Sequence, residues 1–124
     1  MEMMNRVAVI TGGSGGIGKA MAKAFLAEGA KAVVLADLNA DAVATAAKEI
    51  GCSGKTCDVT DEAQVAALVN ETIAEHGKID LFCSNAGAGG AGLLTDAENE
   101  VWQMQWELHV MSHLYAARAV LPIP

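Results

Sequence analysis

The stretch that decides the fold is Thr11-Gly12-Gly13-Ser14-Gly15-Gly16-Ile17-Gly18, which follows the short β-branched run Arg6–Ile10. That run predicts a buried strand. The residues after it predict a helix that starts near Gly16 and ends at Gly29, with one apolar face formed by Ile17, Ala20, Met21, Ala24 and Phe25. Glycines permit a tight strand-to-helix turn, and bare backbone lets a pyrophosphate approach the free N–H groups of the helix. The stretch is therefore typical of a diphosphate-binding loop, although an ordinary glycine-rich loop is the alternative.

The rest of the chain alternates strands with helices in the order β-α-β-α-β-α-β-α. The later strands are predicted at Ala32–Ala36, Lys55–Val59 and Ile79–Ser84, and a last helix at 97–121. Asn39 and Thr60 are the predicted N-caps, and Gly51 and Gly77 the predicted helix stops. Parallel strands need such helical crossovers. The pattern therefore predicts an α/β fold, a doubly wound parallel sheet of order 3-2-1-4 with helices on both faces.

Composition limits the classes of protein to which the chain can belong. Its 124 residues predict one domain (1–124), and 52% hydrophobic content excludes intrinsic disorder. A net charge of −7 argues against nucleic acid as a partner. No apolar run reaches the ~20 residues that span a bilayer, so no membrane association is predicted. Three cysteines without CxxC spacing, and a start unlike a signal peptide, predict reduced thiols and a cytoplasmic protein.

Asp37 ends the second predicted strand, somewhat more than 20 residues beyond the glycine loop. An acidic side chain at this place accepts hydrogen bonds from the adenosine ribose hydroxyls of a dinucleotide. Its charge would repel a 2′-phosphate, so NAD is favoured over NADP. The alternative is that Asp37 only caps a loop.

The motifs Thr11-Gly12-x-x-x-Gly16-Ile17-Gly18, Asp58-Val59 and Asn85-Ala86-Gly87 resemble the TGxxxGIG, DV and NAG motifs of the short-chain dehydrogenase/reductase superfamily. The resemblance covers nearly the whole chain and implies an NAD-binding Rossmann-like domain. It implies a shared role in cofactor binding for twelve residues: Gly12, Ser14, Gly16, Ile17, Gly18, Asp37, Leu38, Asp58, Val59, Asn85, Ala86 and Gly87.

The resemblance also implies which part of the cofactor each motif meets. The glycine loop would line the pyrophosphate. Asp37 would take the ribose hydroxyls. Asp58 would meet the adenine amino group, and Val59 would pack on the ring. The Asn85–Gly87 motif would shape the floor near the nicotinamide-side ribose, although by itself it reads equally well as a strand-ending turn.

The family's catalytic residues, a Ser, a Tyr and a Lys with a supporting Asn, have no match in this sequence. Tyr115 is the only tyrosine, and no Tyr-x-x-x-Lys pair exists. His109 stands where the supporting Asn is expected. The Ser, Tyr and Lys are expected after a further strand, and the sequence reaches Pro124 first. No catalytic residue is therefore assigned. His109 and His113 lie four apart on one helical face, but two histidines alone are a weak metal site, so no metal is assigned either.

The last predicted helix is apolar on two faces, one of them carrying Trp102 and Trp106. Such a helix must be covered on more than one side. In full-length relatives, the resemblance implies, it forms part of a four-helix dimer interface. We therefore expect a homo-oligomer through this helix and possibly through the open edge of the fourth strand.

Three functions stay open on the sequence alone. The first is a dinucleotide-binding module without the standard reductase chemistry. The second is an active oxidoreductase whose site is completed by oligomerisation or by a partner chain. The third is a structural or interaction protein that retains the fold.

Overall fold

The computed structural model describes residues 1–88 and 95–122. Within them lie four strands and five α-helices: β1 (Val7–Thr11), α1 (Gly16–Ala27), β2 (Ala32–Asp37), α2 (Ala40–Ile50), β3 (Ser53–Thr56), α3 (Glu62–His76), β4 (Leu81–Cys83), α4 (Asn99–Trp106) and α5 (Ser112–Val120). A π-turn, Glu107–Met111, joins α4 to α5. No helix of the described ranges is both long and apolar enough to cross a bilayer.

The four strands form one parallel sheet in the order β3-β2-β1-β4, as predicted. In the register Ile10 pairs with Leu35 of β2 and with Cys83 of β4. β1 is therefore central, and its five residues are all buried. Every crossover passes through a helix, so the carboxyl ends of all four strands lie at one edge of the sheet.

The alternation of side chains along the strands divides the core into two layers. On one face of the sheet, Val9 and Val34 pack with residues of α3 and α5, including Leu68 and Ala116. On the other face, apolar side chains of the strands pack with residues of α1 and α2: Ile10, Val33, Leu35, Ala22, Val43, Ala46 and Ala47. Helices therefore cover both faces, as a doubly wound sheet requires.

The third strand starts two residues earlier and ends three residues earlier than predicted, at Ser53–Thr56 instead of Lys55–Val59. Asp58 ends the pairing because its carboxylate accepts hydrogen bonds from Thr60, which turns the chain away from the sheet. The predicted cap of the next helix is also wrong by one residue. Asp61, not Thr60, is the N-cap of α3, and its side chain accepts from the Ala63 N–H at 3.0 Å.

The predicted buried face of α1 is correct only in part: Met21 and Phe25 pack against the core. Ile17 and Ala24 are exposed, whereas Gly18 and Ala22 are the buried residues of this helix. Gly18 packs so closely on the loop that the helix presents this small-residue face to the sheet. Ile17 consequently projects away from the core, and its 71% exposure leaves it available to a ligand.

The last helical region is interrupted, whereas the sequence predicted one continuous helix over 97–121. The π-turn inserts an extra residue between α4 and α5. Ala116 and Tyr115 pack into the core beside α3. Six apolar residues remain exposed along this region: Trp102, Met104, Trp106, Val110, Leu114 and Leu121.

Asp80 joins the start of β1 to the start of β4, at the edge of the sheet opposite the carboxyl ends. Its carboxylate accepts the Val7 N–H at 2.8 Å and forms ion pairs with Lys78 at 3.0 Å and Arg6 at 3.4 Å. The Val7 hydrogen bond first, and the two cations after it, hold the pKa of the Asp80 carboxyl below its ordinary value of 3.8. Folding therefore favours the ionised form.

Asp80→Asn should flatten the acid limb of the stability profile. The lowered folded-state pKa contributes stability above the unfolded value of 3.8, and this contribution is lost as pH falls through the folded value. In urea unfolding from about pH 7 to about pH 2, the variant should be less stable at neutral pH and converge with the parent in acid. Asp96→Asn, in an exposed turn, is the control and should keep the parental slope. Parallel profiles for Asp80→Asn and the parent would contradict the assignment.

Candidate functional site

A cavity of about 710 Å³ opens at the carboxyl ends of the four strands. It is lined by the segments that follow each strand, by Met104 of α4 and by Leu108 of the π-turn. All twelve residues that the resemblance selected lie along it. Six further lining residues were not selected: Gly15, Cys57, Thr60, Ala88, Met104 and Leu108. The structure thus brings the predicted residues together, while their roles in binding stay predictions.

Close backbone contact forms the glycine loop. Gly12 has φ +66°, and a Cβ there would lie 2.9 Å from the Ala86 Cα. A Cβ on Gly18 would lie 2.5 Å from the Gly12 carbonyl oxygen and 2.9 Å from the Gly13 Cα. Side chains are thus excluded where the first turn of α1 folds against its own loop. Gly18 therefore allows the helix to pack closely on the loop.

The first turn of α1 offers free N–H groups to the cavity. Gly15 is the N-cap, and no side chain caps this helix. Within the described ranges, the N–H groups of Gly16, Ile17 and Gly18 have no acceptor. Unpaired N–H groups and the positive end of a helix dipole form an anion-binding site.

Asp37 lies at the tip of β2 and holds the glycine loop. Its Oδ2 accepts the Ser14 N–H at 3.1 Å and also the Ser14 hydroxyl, and its Oδ1 accepts the Leu38 N–H at 2.8 Å. The loop-capping interpretation of Asp37 therefore describes a real contact. It does not displace the ribose interpretation, since the carboxylate still lines the cavity and Oδ1, which accepts only the Leu38 N–H, can accept a second hydrogen bond.

The side of the cavity beyond β3 is organised around Asp58. Its Oδ1 accepts the Thr60 N–H at 3.0 Å and the Thr60 hydroxyl at 2.6 Å, while its N–H donates to Gln64 Oε1 at 2.9 Å. Asp58 Oδ2 has no donor in the part of the chain that the structure describes. One carboxylate oxygen therefore remains open to a ligand.

Apolar side chains line the same region. Leu38 is 68% exposed although it is a large hydrophobic residue in the cavity wall. Cys57, which is buried, forms part of the floor. Burial first, then the charge of Asp58, raises the pKa of the Cys57 thiol to about 11. The thiol is therefore neutral at pH 7 and acts as a small hydrophobic group. All three cysteines are free thiols, as predicted.

Thr11, so far named only as the first residue of the glycine motif, joins the loop that follows β1 to the loop that follows β4. Its buried hydroxyl accepts the N–H groups of Asn85 and Ala86 at 3.0 and 3.2 Å. These bonds position the β4 exit segment, Ser84–Ala88, against the glycine loop. The segment continues in sequence into a second glycine-rich stretch, Gly87–Gly92, of which residues 89–92 lie outside the described residues.

His109 and His113 both contact the β4 exit segment and are absent from the cavity lining. His109 Nε2 lies 2.9 Å from the Ala88 carbonyl oxygen, and His113 Nδ1 lies 2.6 Å from the Ser84 hydroxyl. Within residues 1–88 and 95–122, no group of three or more His, Cys, Asp or Glu side chains is placed to hold a metal ion.

Tyr115 is also absent from the cavity lining. Its hydroxyl donates to Glu107 Oε2 at 3.4 Å, and its ring packs against the core. Burial, followed by the charge of Glu107, raises the pKa of this phenol. The structure therefore gives Tyr115 a packing role.

The sheet order, the strand-end cavity and the uncapped helix N-terminus together define a nucleotide-binding α/β domain of the Rossmann type. A family model described as short chain dehydrogenase matches residues 6–123. The chain belongs to this family.

Curated relatives agree with the family match. The chain is 37% identical to (−)-isopiperitenol/(−)-carveol dehydrogenase, mitochondrial, of Mentha piperita, over 94% of this chain and 45% of that protein. It is 35% identical to 7alpha-hydroxysteroid dehydrogenase of Escherichia coli, over 98% of this chain and 49% of that protein. The chain thus spans about half the length of the curated relatives it matches.

Solved structures show the same fold. A short chain dehydrogenase/reductase from Burkholderia phymatum in complex with NAD superposes with a TM-score of 0.94 at 32% identity, covering 99% of this chain and 45% of that one. NAD⁺-bound xylitol dehydrogenase superposes with a TM-score of 0.86 at 30% identity, covering 97% of this chain and 48% of that one.

Gly18→Ala and Gly16→Ala form a matched pair of one-methyl additions in the same helical turn. The first forces a Cβ against the Gly12 carbonyl and should lower the free energy of unfolding by about 1–3 kcal/mol. The second meets nothing within 4 Å and should leave stability unchanged or raise it by up to about 1 kcal/mol. Chemical denaturation of both variants checks the pair. Equal stability would refute the close contact.

Proposed function

We propose that this chain is the NAD(H)-binding module of a short-chain oxidoreductase. The observation that carries the proposal is one cavity that joins the uncapped start of α1, the Asp37 carboxylate and the open oxygen of Asp58. A volume of about 710 Å³ is of the size that proteins use for cofactors. The direct test is titration of NADH fluorescence, and absence of binding would overturn the proposal.

The pyrophosphate would bind at the free N–H groups of Gly16, Ile17 and Gly18. Backbone donors suit this ligand in a protein of net charge −7, because they attract phosphate oxygens without a basic surface. Gly12 and Ser14 would complete this part of the site, since the absence of a side chain on Gly12 leaves the backbone open to the ligand. The exposed Ile17 side chain would be covered by the bound cofactor.

The adenosine half would bind between the ends of β2 and β3. Leu38 and Val59 would contact the adenine ring, which accounts for an exposed leucine in a cavity wall. Asp58 Oδ2 would accept the adenine amino group. Asp37 would accept the ribose hydroxyls while it retains Ser14. Its negative charge would repel a 2′-phosphate, which favours NAD over NADP.

The nicotinamide half would lie toward β4, over Asn85, Ala86 and Gly87. We propose that the whole protein interconverts alcohols and carbonyls. In oxidation a hydride passes from the alcohol carbon to NAD⁺, and the hydroxyl proton leaves to a base. Residues for this chemistry would come from outside this chain or from a partner chain. The dehydrogenase names of the relatives support the reaction class.

We also propose that the chain self-associates through the α4–α5 region. Two tryptophans about half exposed, Trp102 at 49% and Trp106 at 54%, lie among other exposed apolar residues there. Aromatic residues of this kind are enriched at protein interfaces. In the described part of the chain, β4 is an edge strand, and its free edge would extend the same interface.

Location and further partners follow from charge and cysteine state. We propose a cytoplasmic protein, because its three cysteines are free thiols and reducing compartments keep them so. The negative net charge disfavours nucleic acid as a partner. The dinucleotide is thus the main proposed ligand.

Asp37→Ala should weaken NADH binding by about 1–3 kcal/mol, because it removes charge-assisted hydrogen bonds to ribose and also loosens Ser14. Asp37→Asn keeps the shape and removes the charge, so it should lose less affinity for NADH and gain relative affinity for NADPH. Asp41→Ala, in the first turn of α2, is the control and should bind as the parent. Isothermal titration calorimetry measures all three. If Asp37→Ala binds NADH as tightly as the parent, Asp37 only holds the loop and does not contact the ribose.

Sedimentation velocity at micromolar concentration should show a dimer or larger species. Combined Trp102→Glu and Trp106→Glu should shift it to monomer, since charge on an apolar interface is poorly tolerated. The control Lys23→Glu, on the exposed side of α1, should leave the assembly intact. A stable monomer of the parent chain would remove the self-association proposal while leaving the dinucleotide proposal untouched.

A further inference from the structure

Two histidines one helical turn apart hold the two ends of the β4 exit segment. His113, at the start of α5, contacts the Ser84 hydroxyl at the first residue of the segment. His109, in the π-turn, contacts the Ala88 carbonyl oxygen at the last residue. Both contacts link residues more than 20 positions apart in sequence.

The His109 contact has a defined polarity. A backbone carbonyl only accepts hydrogen bonds, so His109 Nε2 must carry a hydrogen and donate it to Ala88. The ring also lies directly on Gly87, because a Cβ there would be 2.9 Å from His109 Cε1. The absent side chain of Gly87 therefore makes room for the imidazole as well as for a ligand.

The middle of the segment is held separately. The Thr11 hydroxyl accepts the N–H groups of Asn85 and Ala86. The segment is thus anchored at its start by His113, in its middle by Thr11 and at its end by His109. Its last four residues all line the cavity, on the β4 side.

The π-turn lets the α4–α5 region contact both the cavity and the β4 exit segment. Leu108 lines the cavity, while the next residue, His109, turns to the Ala88 carbonyl. π-turns widen a helix by one residue and occur frequently at functional sites. Here the widened turn lets Leu108 line the cavity while His109, the next residue, supports the β4 exit segment.

We propose that His109 and His113 are positioning residues that preorganise Ser84–Ala88 to receive the nicotinamide-ribose half of the dinucleotide. The inference rests on the proposed NAD(H) function. A segment held at both ends loses less conformational freedom when the ligand binds, so affinity rises without a direct contact. The adenosine and phosphate half would bind toward the ends of β2 and β3 and the start of α1, away from the two histidine contacts. The two histidines should therefore affect one half of the ligand selectively.

The test compares NADH with ADP, which lacks the nicotinamide half, by calorimetry on the whole chain. His109→Ala should weaken NADH binding about three- to tenfold, the effect of one hydrogen bond, and change ADP binding less than about twofold. His109→Gln keeps a terminal N–H donor and should recover most of the loss. His113→Asn should likewise exceed His113→Ala in affinity. His76→Ala, at the far end of α3, is the control and should match the parent for both ligands.

A second measurement needs no ligand and no variant. Long-range ¹H–¹⁵N NMR of the parent histidines should show a hydrogen on His109 Nε2, and the Asn85 and Ala86 amides should resist hydrogen exchange. Equal losses for ADP and NADH, no loss in His109→Ala, or a neutral His109 bearing its hydrogen on Nδ1 would each overturn the inference. If the parent chain binds ADP and NADH normally, those results leave the proposed function standing. If it binds neither, the proposed function itself fails.

Discussion

The structure depends on one close approach of bare backbone. The first turn of α1 folds against its own loop at Gly12 and Gly18, where a single Cβ would collide with a carbonyl oxygen. The same contact turns the helix so that its uncapped N–H groups face the cavity. Because those N–H groups have no acceptor in the described part of the chain, they are free to donate hydrogen bonds to a bound anion. The geometry that permits the fold is thus also the geometry that would bind a phosphate.

Parallel topology extends this single contact into a site. Since the carboxyl ends of four strands meet at one edge, four loops distant in sequence line one cavity. Side chains then hold these loops in place: two of the contacts join different loops, and the third closes the loop after β3 on itself. Asp37 holds Ser14, Thr11 holds Asn85 and Ala86, and Asp58 holds Thr60. Each connection satisfies polar groups that would otherwise be costly to bury, so the cavity is formed before a ligand arrives.

Much of the fold was predictable, because buried parallel strands and helix ends leave strong local signals. The sheet order and the helices on both faces followed from glycine stops and apolar runs, and twelve of the eighteen lining residues followed from the family motifs. The errors have local causes. β3 is short and carries Gly54, so its apolar signal is weak, and Asp58 turns the chain earlier than hydrophobicity suggests. The buried face of α1 was only partly predicted, because the fully buried residues are the small Gly18 and Ala22, while Met21 and Phe25 pack beside them and Ile17 is exposed.

The sequence by itself determined the doubly wound sheet, the diphosphate loop and the family, because these depend on periodicity and on motifs that are contiguous along the chain. Only the tertiary structure decided that Asp37 grips Ser14, that Met104 and Leu108 close the cavity, and that a π-turn aims His109 at Ala88. These contacts join residues about 20 to 90 positions apart, and their geometry is set by how helices pack across the sheet. No local pattern encodes such distances, so folding alone brings these groups together.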